Sequence, residues 1–295
     1  MTEIAYVAGL LAALCWGSSP VVSKRGLSYG GSPMLVTLVV IATGLTVLWG
    51  TLLVTRGPAH FVPELAPSGY GVFAAGGLFG TAVGRIANYT GIDRIGASVN
   101  SAVVAVNPLF ATVLALVFLG ELVTATQAVG VVIVVGGIAV LTAAKGGDLS
   151  GWNRRELLFP LLGAFAFGAG GVIRRFGMVA TAATPLQGAA LNETAAFVGI
   201  VCYLLATGTS VLERLPIRAY AYFVATGVFG ALGLLMMFTG LKYGRVAIVT
   251  TLAGTSTLVA TAFSYFVLDD LERVTRGVVG GAVLVVVGIT LITLT

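Results

Sequence analysis

Residues 10–27 read LLAALCWGSSPVVSKRGL and residues 161–178 read LLGAFAFGAGGVIRRFGM, two apolar runs of one outline set 151 positions apart. That shift pairs Leu10 with Leu161, Leu11 with Leu162, Ala13 with Ala164, Gly17 with Gly168, Val21 with Val172 and Gly26 with Gly177. It also pairs Glu121 with Glu272, Thr124 with Thr275, Gly130 with Gly281 and Gly137 with Gly288, while Ser32-Pro33 meets Thr184-Pro185 at a shift of 152. Biased composition produces chance identities, but not a common displacement sustained over such distances, so the chain contains an internal repeat. Between Gly77 and Glu121 the register drifts by one or two, and Asp270 competes with Glu272 as the mate of Glu121.

The surrounding composition names the solvent. Charged residues make up 9% and hydrophobic residues 58% of the chain, and the mean hydropathy is +1.04, where a soluble domain carries about 25% charge. This is an integral membrane protein. A hydrocarbon layer about 30 Å thick needs about 20 helical residues, and such runs recur near 4–24, 33–55, 68–90, 98–118, 125–143, 156–178, 185–207, 218–240, 246–268 and 276–294. The runs are continuously apolar instead of alternating, which argues against a β-barrel. Ser32-Pro33 and Thr184-Pro185 each offer a capping side chain before a proline at the first helical position, and Thr124-x-x-Gln127 fits a capping box.

The segment KGGDLSGWNRR, 145–155, is the clearest linker, dividing a first five-helix unit (4–144) from a second (156–295). The fold class expected is all-α: a polytopic membrane protein of ten transmembrane helices. An odd number of helices per unit forces the second copy to cross the membrane in the opposite sense. Inverted repeats are a hallmark of secondary transporters, in which a site near the bilayer midplane opens to either side.

Cys15 and Cys202 both fall inside apolar runs, so no disulfide framework is readable. MTEIAYV lacks the positive region of a signal peptide, so the first helix is expected to be retained. The net charge of +5 is the balance of 16 Lys and Arg against 11 Asp and Glu, and the basic residues are scattered over most loops. They read as loop charges and anchors, with no nucleic-acid partner.

CWGSSPVVSK, TGIDRIGASVNSAVVAVNPLFATVLALVFLGE (90–121), its echo TGLKYGRVAIVTTLAGTSTLVATAFSYFVLDD (239–270) and the Gln127 to Gly137 helix together resemble a drug/metabolite transporter of the EamA type, over nearly the whole chain as two EamA-like units. The resemblance implies ten helices, a central cavity lined mainly by helices one to four and six to nine, and the fifth and tenth helices at the periphery. It leaves the substrate open among amino acids, metabolites, nucleotide-linked sugars and drugs. The second unit departs from the pattern: AGTSTLVAT has no proline matching Pro108, and Asp269-Asp270 replaces the usual Gly-Glu.

In the first helix, Pro20 removes a backbone hydrogen bond, and Ser18 and Ser19 can satisfy freed carbonyls. The repeat mate carries Gly168, Gly170 and Gly171 there. Both devices suit a flexing, cavity-lining helix, although for any one glycine plain packing of small residues explains as much. Asn107-Pro108 marks a further kink. Trp16, Ser18, Ser19, Lys24, Asn88, Asn100, Asn107 and Arg174 are the expected cavity residues. Snorkelling of Lys24-Arg25 and Arg174-Arg175 to the headgroups, and helix-to-helix bonding of the asparagines, are the structural alternatives.

Glu193 lies nine residues after Thr184, roughly 13 Å into its helix and near mid-bilayer. An ionised acid there costs about 2.5 to 3.5 kcal/mol, so it is either neutral or partnered. Two readings follow: an ion pair with Arg174 or Arg175, or a proton carrier facing the cavity. Asp93, Glu121, Asp269, Asp270 and Glu272 read as loop or interfacial acids, and His60 as a loop residue. No catalytic triad, metal cluster or phosphate loop is evident in the sequence, and neither metal nor cofactor is expected.

These observations point to a secondary active transporter, an exporter or exchanger of a small organic metabolite in the cell membrane, with a homodimer through the peripheral helices. A membrane-embedded enzyme acting on lipid or isoprenoid would need a polar catalytic cluster at one interface. A channel would need a continuous polar stripe, and a receptor has no use for five-plus-five symmetry. Orientation stays open: loops on the side of the termini hold five positive charges against eleven on the other, which places the termini outside, whereas the resemblance implies that they are cytoplasmic.

Overall fold

The computed structural model describes residues 2–58, 62, 64–104, 106–120, 124–143, 147–148, 152–211, 213–268, 272–273 and 275–293. In the first half, α1 (Thr2–Leu27) and α2 (Pro33–Arg56) are continuous helices. Helix α3 runs from Pro67–Ala75 through a π-helical segment, Gly76–Val83, into Gly84–Ile95. Helix α4 is broken into Ala97–Val104 and Asn107–Leu119, and α5 is Ala125–Ala143.

The second half repeats the series. A 3-10 turn, Arg154–Leu157, leads into α6 (Leu158–Ala180), followed by α7 (Pro185–Thr207) and α8 (Ile217–Tyr243). Helix α9 is broken into Val246–Gly254 and Ser256–Val267, and α10 is Arg276–Thr293. Among the described residues, six apolar helical spans of 22 to 27 residues are long enough to cross a bilayer. Among the described residues each of the ten expected spans holds helix, and the chain is a polytopic membrane protein.

The punctuation read from the sequence is used. The Ser32 hydroxyl accepts from the Leu35 amide at 3.3 Å. Thr184 with Gln187 and Thr124 with Gln127 both close reciprocal capping boxes, which satisfy two of the amides a helix start leaves unpaired. Gly120 and Gly208 end α4 and α7 at φ of 62° and 64°, left-handed backbone that suits glycine.

Two equivalent pairs of helices, α4 with α9 and α5 with α10, pack antiparallel across the halves. The first piece of α4 meets the second piece of α9, and the second piece of α4 meets the first of α9. Helix α5 lies along α10 through exchanged glycines: a methyl on Gly137 would come within 2.8 Å of the Gly281 carbonyl oxygen, and one on Gly288 within 2.8 Å of the Gly130 carbonyl oxygen. Each glycine thus touches the mate of the other, as two copies related by a two-fold axis must. Likewise α1 packs on α8 and α9, and α6 on α3 and α4. Outward faces of α5 and α10 expose Val129, Val132, Val283 and Val287, as a lipid-facing surface requires.

The breaks in α4 and α9 fall at corresponding places although only α4 carries a proline. In α9, the Thr255 amide and hydroxyl both donate to the Leu252 carbonyl, at 3.1 and 2.7 Å, and this tight turn takes the place of a proline. Within the expected linker Gly147–Asp148 pairs antiparallel with Glu272–Arg273, and Asn153 and Glu156 form a capping box at the start of the second half. His60, Glu121, Asp269 and Asp270 lie outside the described residues.

Candidate functional site

A cavity of about 110 Å³ lies between the two halves, with room for several waters or a small solute. The first half contributes Trp16, Ser19, Pro20, Thr81, Arg85, Asn88, Tyr89, Ser101, Val104 and Asn107; the second contributes Phe167, Arg174, Gly230, Leu234, Met237, Ala253 and Ser256. Glycine lets the backbones close around it. A methyl on Gly233 would overlap the Trp16 ring, and methyls on Gly80 and Gly170 would each lie 2.6 Å from the other residue's Cα. Gly168 approaches the Asn107 carbonyl oxygen in the same way, at 2.9 Å, and Gly171 faces Thr250. The glycines of α6 are therefore points of close helix contact.

Five of the expected cavity residues line it: Trp16, Ser19, Asn88, Asn107 and Arg174. The Trp16 Nε1 donates to the Gly230 carbonyl at 3.4 Å, and Tyr89 interacts with the Ser19 hydroxyl. Three expectations are corrected. Ser18 turns its hydroxyl to the Leu14 carbonyl of its own helix at 3.0 Å, and so does not satisfy the carbonyl freed by Pro20. Asn100 is fully buried behind the cavity, donating to the Asn88 Oδ1 at 2.7 Å. Lys24 reaches the Ile92 and Asp93 carbonyl oxygens, at 3.4 and 3.3 Å, at the end of α3, where a cation meets the negative end of the helix. Its repeat mate Arg175 does the same at the end of α8, donating to the Leu241 carbonyl at 2.6 Å.

The ionised groups are arranged differently from the sequence expectation. Glu193 is fully buried on α7 and its Oε1 accepts from Arg85 of α3, so the ion pair is with neither Arg174 nor Arg175. Gly44 of α2 makes room for that carboxylate, since a methyl there would lie 3.1 Å from the Glu193 Cδ. Arg174, only 3% exposed, donates its Nε to the Asn192 Oδ1 at 3.1 Å and its Nη2 to the Thr81 Oγ1 at 2.8 Å. Asn192 Nδ2 donates to the same hydroxyl at 2.7 Å. Thr81 sits in the π-helical segment of α3, a type of irregularity that often accompanies function. The Glu193 Oε2 and the Ser101 hydroxyl have no hydrogen-bond partner among the described residues.

Arg85, Thr81, Tyr89 and Asn192 are the site residues that sequence reasoning missed. Arg85 reads as a loop charge if α3 ends near residue 90. The helix continues to Ile95, which puts Arg85 ten residues, roughly 15 Å, from its end. An arginine inside an apolar run was the available signal. Among the described residues no group of three His, Cys, Asp or Glu side chains could hold a metal ion.

A buried ion cluster in a cavity enclosed by inverted five-helix repeats defines a solute-handling membrane protein. The chain belongs to the EamA-like transporter family, which it matches twice, over residues 3–143 and 154–294. Members of this family are generally transporters. No curated protein shows significant sequence similarity to it, whereas 28 solved chains match it significantly. One of these, described only as the crystal structure of a protein, shares the fold with a TM-score of 0.74 at 17% identity, over 100% of this chain and 98% of its own.

Proposed function

We infer that the protein is a secondary active transporter, an exporter or exchanger, that moves a small organic metabolite across the cell membrane by alternating access. The observation that carries this reading is the position of the cavity: it lies between inverted repeats and is walled by both. Repeats 4–144 and 156–295 act as the two moving units, and the breaks before Asn107 and at Thr255 give α4 and α9 places to bend. Pro20 and the close contacts at Gly168, Gly170 and Gly171 let α1 and α6 shift without losing packing. A homodimer would form through α5 and α10.

Glu193 is the coupling group in this reading. It is the one carboxylate paired inside the protein core among the described residues, and its partner Arg85 reaches the cavity. A change at the cavity that draws Arg85 away leaves the carboxylate to take a proton. A membrane-embedded enzyme needs a polar catalytic cluster at one interface, and the cluster described here is central. Purified protein in proteoliposomes, tested against a solute panel, should give saturable, gradient-driven accumulation of at least one solute. Passive, non-saturable flux would identify a channel instead.

A further inference from the structure

The charge balance of the cavity points to the kind of solute it takes. Among the described residues, three ionised side chains meet there: Arg85 and Arg174 in the wall, and Glu193 behind Arg85. Glu193 neutralises Arg85. Arg174 is held by neutral acceptors, the Asn192 and Thr81 oxygens, so one positive charge stands in surplus. A buried cation without a counter-ion is costly, and an anion entering the cavity removes that cost. The rest of the lining includes apolar and aromatic side chains, Trp16, Phe167, Leu234 and Met237.

We propose that the cavity binds a small monoanion, a carboxylate attached to an apolar or aromatic body, with the carboxylate at Arg174 and the body against Trp16 and Phe167. A guanidinium fork matches a carboxylate geometrically. A phosphate monoester, at close to two negative charges near neutral pH, would overturn the balance to negative. A zwitterion brings its own cation and leaves the surplus in place. The unpartnered Ser101 hydroxyl offers a neutral donor to the anion or its body.

This assignment rests on the transport reading for one consequence only. Enclosing the empty cavity encloses a net positive charge, and enclosing the loaded one does not, so the loaded protein changes state more readily and exchange outruns net uniport.

The test begins with binding, which needs no transport. Thermal unfolding of the purified full-length protein is followed with phenylacetate, phenylacetamide, phenylphosphate and phenylalanine, and with hexanoate and hexanamide. The carboxylates are expected to raise the melting temperature saturably, each binding at least tenfold more tightly than its amide. Arg174→Gln should weaken carboxylate binding at least tenfold and Arg174→Lys much less. If Arg174→Gln does not fold, the comparison of acid with amide in the unaltered protein decides alone. Equal stabilisation by acid and amide, tighter binding of phenylphosphate or phenylalanine, or no effect of either carboxylate overturns the assignment. Counterflow in proteoliposomes separates the two readings. A carboxylate that binds without exchanging removes the transport reading and keeps the anion site, while exchange of neutral solutes without carboxylate binding does the reverse.

Discussion

The Arg85 guanidinium on α3 and the Glu193 carboxylate on α7 form an ion pair that ties the first repeat to the second in the middle of the protein. Both residues are buried, Arg85 at 8% exposure and Glu193 at 0%. Removing one partner strands the other in a medium that solvates ions poorly. Arg85→Leu is expected to destabilise the protein by about 3 to 5 kcal/mol, and replacing both residues by leucine to cost far less. Unfolding of the two single variants and the double variant in detergent measures the coupling. Equal losses in all three would mean that the pair contributes nothing.

Glu193→Gln keeps the shape of the side chain and removes its charge. As a hypothesis motivated by that buried carboxylate, the variant is expected to exchange substrate across the membrane while losing proton-driven accumulation. Parallel counterflow and pH-gradient assays on the same proteoliposomes decide the matter. Concentrative uptake with an unchanged pH dependence would exclude Glu193 as the proton carrier.

Thr81 accepts hydrogen bonds from Arg174 and Asn192 through one hydroxyl. Thr81→Val leaves two buried donors without this acceptor, at a cost of about 1 to 3 kcal/mol, and frees Arg174 to reorient. Transport should show a KM raised severalfold with a smaller change in kcat. Thr81→Ser should restore the original KM, a rescue that a purely structural role for the methyl group would not give.

The antiparallel contact of α5 and α10 can be tested by cross-linking after Cys15 and Cys202 are replaced by serine. A methyl on Gly288 would lie 2.6 Å from the Val134 Cγ2, so the pair Val134→Cys and Gly288→Cys should oxidise readily to a disulfide. Gly130→Cys with Gly281→Cys should not, because Gly130 faces Gly288 and 281 lies seven residues, roughly 10 Å, further along the helix. The reverse pattern would mean parallel halves.

The repeat, the ten helices and their caps were legible because each is a local or periodic signal. Solvent-driven runs of about 20 apolar residues, and Ser or Thr before proline, do not depend on what the helix later touches. The site was legible only in part. Trp16, Ser19, Asn107 and Arg174 announce themselves as polar or bulky residues in apolar runs. Arg85 was obscured by an end of α3 placed five residues early. Glu193 was recognised as buried, but its partner was sought on the neighbouring helix in sequence, whereas packing brings in α3 from the other half. Asn100 and Lys24 show the remaining limit: residue type says that a side chain needs a partner, and only the fold says that the partner is Asn88 or the end of α3.

Lys24 and Arg175 each close a bond to the last turn of the third helix in their own repeat. The donor and acceptors of the first bond all lie within the opening 93 residues, and those of the second within residues 175 to 242. During synthesis on the ribosome, each half can therefore fasten its first helix to its third as soon as that third helix has emerged and inserted. The bonds that join the halves through α7, Arg85 to Glu193 and Asn192 to Thr81, must await the seventh helix, which makes the joining of the halves a late event in biogenesis.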